Sequence, residues 1–220
     1  MKIIIWLILP VIMMSYFTAG APENRGWKEL YQDFVEKDTY LDFILAANPA
    51  NTELMYERDK DGDGIALYDL DQDKIPELLI RSWYLGFDIE QIDVFSCKEG
   101  KIRKEGTMGG EVFFDLIFSL EKAGISDRLY TFSGGAYMGL DEYWIGKGGL
   151  VRGDAGVTRM DSNEEHEWIE IWDSYGCSKE RLEELINAYL SGSKENITEI
   201  NWYGKKELQD CFDEWDRRGT

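Results

Sequence analysis

The chain has 220 residues, with 43 acidic side chains against 24 basic ones and a single histidine, giving a formal charge of −19. Such a field repels nucleic-acid phosphates and anionic lipid surfaces and attracts cations, so nucleic acid is excluded as a partner. The length is enough for one domain with a real core, and no linker-like, low-complexity or repeated tract divides it.

Lys2, the apolar run Ile3 to Met14 and the small residues Ala19, Gly20 and Ala21 have the layout of an export signal peptide. The run is shorter than the ~20 residues needed to cross a bilayer. We therefore expect a signal peptide at 1–21 and a single α+β domain at 22–220. An uncleaved anchor is the alternative. The expected location is outside the cytoplasm, secreted or in the cell envelope, with no membrane span after cleavage. Without Lys2 the remaining chain is about −20. Cys97, Cys177 and Cys211 form no metal-binding spacing and allow at most one internal disulfide, in any of three pairings.

Trp27, Leu30, Tyr31, Phe34 and Val35 recur with the spacing of one helix face, which predicts an amphipathic helix at the start of the domain. A second helical piece is expected from Tyr40 to Ala47, ending before Pro49. From there the pattern shifts to short apolar and aromatic runs separated by turns, including "ELLIRSWYL", "EQIDVFSC", "KIRKEGTM", "RLYTFSG", "DEYWIGKG" and "EHEWIEIW". "CKEGKI" reads as a hairpin turn with Gly100 at positive φ. Helices return after Ser178, with Leu182, Leu185, Ile186 and Tyr189 on one side, and again from about Lys205 to Trp215. The expected fold is thus α+β: an antiparallel β-meander sheet flanked by an N-terminal helix and C-terminal helices.

Between the first helices and the strands lies "DKDGDGIALYDLDQDKIPELLI", residues 59–80. Alternating aspartates suit a calcium loop, in which every second side chain turns toward the ion. The first group, Asp59, Asp61 and Asp63 with Gly64, begins like an EF-hand loop. It then places Leu67 and Leu70 where ligands nine and twelve belong. The second group places Asp69, Asp71 and Asp73 at positions one, three and five, the Ile75 carbonyl at seven and Glu77 at nine. It runs directly into an apolar strand. We expect a structural calcium (Ca2+) site at Asp69, Asp71, Asp73, Ile75 and Glu77. Two carboxylates ~4 Å apart at an effective dielectric of ~20 repel by about 4 kcal/mol, so a bound cation would relieve the loop.

This second loop resembles the calcium loops of FG-GAP and VCBS-type β modules, although Lys74 stands where those have glycine. The longer stretch "IALYDLDQDKIPELLI" is similar to the "FALYDIDGDGIPELII" signature of a largely uncharacterised family of exported bacterial proteins. The helix at 27–37, "IDVFSCKEGKIRKEG" and "SGGAYMGLDEYWI" are the counterparts of that family's other segments. The resemblance implies an exported protein that binds calcium, and it implies no enzymatic activity.

Other chemistry has thinner support. "HEWIE" imitates a zinc-protease helix, but its neighbours alternate like a strand, which would set positions one and five about 13 Å apart. With one histidine, any Ser–His or Cys–His arrangement depends on His166. "SGGAYMG" lacks the lysine of a phosphate loop and reads as a sharp turn. The alternatives to a non-catalytic calcium-binding protein with a protein or glycan partner are two. One is a glycan or cell-wall hydrolase using paired carboxylates ~5–10 Å apart. The other is a glycan-binding module using exposed aromatics among Trp83, Tyr84, Tyr137, Trp144, Trp172, Trp202 and Tyr203.

Overall fold

A computed structural model describes residues 26–47, 63–84, 89–109, 114–134, 137–160, 166–174, 176–191, 193 and 195–218. The leader, Asp59 and Asp61 lie outside these residues. Helix α1 (Trp27–Glu36) sets Tyr31, Phe34 and Val35 on one buried face. It ends where Asp38 turns to φ +55° and the Thr39 N–H reaches back to the Phe34 carbonyl. Helix α2 (Tyr40–Ala47) follows.

Eleven strands then form two antiparallel sheets among the described residues. The first contains β1 (Gly64–Tyr68), β2 (Glu77–Tyr84), β3 (Ile89–Lys98), β4 (Lys101–Gly109) and the late, two-residue β11 (Tyr203–Gly204), in the order β11-β1-β2-β3-β4. The second contains β5 (Phe114–Leu120), β6 (Ile125–Gly134), β7 (Tyr137–Gly146), β8 (Gly149–Met160), β9 (His166–Ile171) and β10 (Thr198–Glu199), in the order β10-β5-β6-β7-β8-β9. Helix α3 (Lys179–Leu190) lies between β9 and β10, and α4 (Leu208–Arg218) follows β11. The α+β class and the antiparallel meander are as expected, with the meander divided between two sheets.

Strand alternation builds the layers. On β1, Ile65 and Leu67 join a cluster with Tyr31, Phe34, Leu208 and Phe212 from α1 and α4, while Ala66 and Tyr68 face the other way. There they meet Leu79, Ile92, Val94 and Met108 of the first sheet and Ile117, Leu129 and Tyr143 of the second. The second sheet turns Phe118, Tyr130 and Leu140 outward onto Leu182, Leu185 and Ile186 of α3. The order of layers is helices, sheet, sheet, helix, with three apolar interfaces. Each fully buried large aliphatic or aromatic side chain contributes about 1.5–3 kcal/mol.

The sheets approach most closely at β4 and β8. A β-carbon on Gly149, which has φ +111°, would lie 2.4 Å from the Glu105 carbonyl, so only glycine fits there. The β3–β4 hairpin has the predicted turn, with Glu99 at φ +53° and Gly100 at φ +70°. All three cysteines are buried and free. Among the described residues no helix is long and apolar enough to cross a membrane.

Candidate cation site in the β1–β2 loop

Strands β1 and β2 pair antiparallel with Tyr68 opposite Glu77, so residues 69–76 close the hairpin as one acidic loop. Its backbone N–H groups turn inward onto the aspartates. Asp69 accepts the N–H of Asp73 on one oxygen and that of Lys74 on the other, both at 3.1 Å. The Asp73 N–H also reaches Asp71 at 3.2 Å, and Asp73 accepts the Ile75 N–H at 2.7 Å. Winding this tightly takes two left-handed residues, Gln72 at φ +61° and Lys74 at φ +73°. Lys74 adopts the conformation that a glycine normally supplies at position six, at a strain of about 1 kcal/mol.

Asp69, Asp71 and Glu77 each place a carboxylate oxygen within 4.8 Å of the others. Glu77 is 1 % exposed and accepts the Leu70 N–H at 2.7 Å. Burial pushes its carboxyl up to about 8; the Asp71 and Asp69 charges push the same way, while the Leu70 N–H and Lys98 partly offset them. Asp69 is also raised, first by burial and then by Asp71 and Asp73, against the hydrogen bond from Lys74. Of the five expected ligands, three carboxylates converge. Asp73 is exposed, lies outside this group and caps the Ile75 N–H, while Ile75 packs its side chain against the helix-side core.

Three residues outside the loop brace it: Tyr31, Ser126 and Lys98. The Tyr31 hydroxyl on α1 donates to the carbonyls of Pro76 (2.9 Å) and Phe95 (3.3 Å), fixing the floor of the loop. Gln72 donates through Nε2 to the Asp69 carbonyl within the loop and to the Ser126 carbonyl in the second sheet, and the Ser126 hydroxyl donates back to Gln72. Lys98, at the end of β3, places its ammonium 2.7 Å from Asp71 Oδ2. Spacing alone could not find these partners, because strand register and sheet stacking bring them together. Lys98 had one indirect signal, its place at the end of a strand one hairpin away.

In the first acidic group, Asp63 is 4 % exposed and accepts the Tyr40 hydroxyl at 2.9 Å, pinning α2 to the start of β1. His166 begins strand β9, so "HEWIE" is not a metalloprotease helix. Two surface grooves lie beside α1 and α4. One is lined by Tyr203, Asn201, Trp215, Arg218 and Glu214, the other by Gln32, Lys205, Lys206, Phe212 and Glu36, and among the described residues each contains a single carboxylate. In the first, Glu214 is already held by Tyr203, Asn201 and Arg218. Among the described residues neither groove supplies the pair that glycoside hydrolysis needs. Of the aromatics considered for glycan stacking, Trp172 is exposed, Trp144 and Trp202 are half-buried beneath Arg128 and Arg81, and the side chains of Trp83, Tyr84 and Tyr137 lie outside the described residues.

Comparison with known proteins found no matching family model, curated protein or solved structure. The loop's geometry therefore carries the functional reading.

Proposed function

We propose that the chain is an exported, non-catalytic protein whose β1–β2 loop binds calcium as a structural ion, held by Asp69, Asp71 and Glu77. The observation that carries this reading is the convergence of those three carboxylates within 4.8 Å, one of them buried. An all-oxygen anionic set suits a hard divalent cation, and calcium tolerates the irregular geometry of such a loop. Calcium takes ~6–8 oxygens, so backbone carbonyls and water complete the shell around the three carboxylates. The leader pattern at 1–21 supports export, where calcium is plentiful. The family resemblance of residues 65–80 supports the same role. The ion fixes the hairpin from which the first sheet grows, and the protein acts by binding a protein or glycan.

Calcium titration of chelator-treated protein, followed by thermal unfolding, tests the reading. Millimolar calcium is expected to add about 1 kcal/mol for a site of extracellular affinity, which raises Tm by about 2–4 °C in a domain of this size. Asp71→Ala is expected to remove that rise. A wild-type Tm indifferent to millimolar calcium would sink the proposal.

A further inference from the structure

We propose that Lys98 is a tethered competitor for the cation: its ammonium neutralises the loop while no metal is bound and leaves Asp71 when one binds. This rests on the loop being a cation site.

Lys98 is fixed at its backbone and carries its charge on a flexible, partly exposed stem. Its Cα is set by the pairing of Lys98 with Lys101 at the tight Glu99–Gly100 turn. Its side chain is 31 % exposed, so the four-carbon stem can swing toward solvent. The ammonium takes Asp71 Oδ2 at 2.7 Å, and the Asp73 N–H takes Oδ1 at 3.2 Å, so both oxygens of this carboxylate are already in use. A calcium ion on Oδ2 at ~2.4 Å would lie within about 5 Å of the ammonium nitrogen, because both cations would share one oxygen. A dication and an ammonium that close repel strongly in a half-buried setting. Lysine suits this role because its charge is a compact point on a flexible stem. The loop then has two alternative cations, one covalently attached and one drawn from solution. Calcium affinity is set by the difference between them.

Isothermal titration of the full chain with calcium tests this in wild type, Lys98→Gln and Lys98→Arg. Lys98→Gln keeps a donor for Asp71 without the charge and is expected to bind calcium about tenfold or more tightly. Lys98→Arg keeps the charge and is expected to stay within about threefold of wild type. A second measurement needs no variant: amine acylation of wild type, read by mass spectrometry, should become several-fold faster at Lys98 on adding calcium and unchanged at Lys28. If wild type binds calcium while Lys98→Gln binds equally or more weakly, or Lys98 acylation ignores calcium, the competitor role is overturned and the cation site stands. If no form binds calcium, both fall together.

Discussion

Glu77 opens β2 from a buried position beneath the loop, and its carboxyl sits near 8 where an exposed glutamate would be close to 4.5. Without divalent ions the folded chain therefore holds a proton that the unfolded chain releases at lower pH. The contribution to stability is complete below pH 4.5 and is lost as pH rises toward 8, a change on the order of a few kcal/mol. We expect the urea midpoint in chelator to fall across that window, and Glu77→Gln to flatten the fall. In the proposed site calcium would displace the same proton, so its affinity is expected to climb between pH 6 and about 8.5, with proton release measurable by calorimetry in two buffers. An affinity that ignores pH would remove Glu77 from the ligand set. At this scale the sequence was partly legible. The 1-3-5-7-9 spacing located Asp69, Asp71 and Glu77, and Lys74 at position six announced a strained residue. Spacing could not separate Asp73, which caps the turn, from aspartates that converge, because that depends on two left-handed residues at 72 and 74.

The helices were legible as elements because each buries only one stripe. Trp27, Leu30, Tyr31, Phe34 and Val35 mark α1, and Leu182, Leu185 and Ile186 mark α3. The strands were legible as strands, but their division between two sheets was not. Both sheets are covered on both faces, so runs such as "IALY" and "ELLI" are apolar throughout and do not tell which layer each side chain enters. Asp63 was misleading for a related reason: it sits in a calcium-like pattern yet is used by Tyr40 from a separate helix. The layering makes a prediction about α3. Leu185, 1 % exposed, fills the outer interface of the second sheet, on the side away from the first sheet. Leu185→Ala is expected to lower unfolding free energy by about 2–5 kcal/mol in urea. Its calcium affinity should stay within about twofold of wild type, because the two sites share no partner. A large loss of calcium binding in that variant would show that the layers are not independent.

Across the whole molecule, the charge of −19 opposes compaction wherever acidic side chains crowd, and nearby lysines and arginines relieve it only locally, as at Lys28–Asp216 and Lys205–Asp38. Raising sodium chloride from about 10 to 150 mM in chelator should increase Tm, because the screening length shrinks from ~30 to ~8 Å. A decrease would mean that specific ion pairs outweigh the general repulsion. One feature of the topology also bears on how the chain is made. The first sheet is interrupted: after β4 the chain builds the entire second sheet and α3 before returning at Tyr203 and Gly204 to pair with Ile65 and Gly64. Leu208, Cys211 and Phe212, which close the core over Ile65 and Leu67, come later still. Closing so long a loop is slow and rewards the chain only at the end. A nascent chain thus shows an open apolar face on its first layer until Leu208, Cys211 and Phe212 have been made. Folding of that layer cannot outrun synthesis of α4, so a growing chain stays pliable until those residues have emerged.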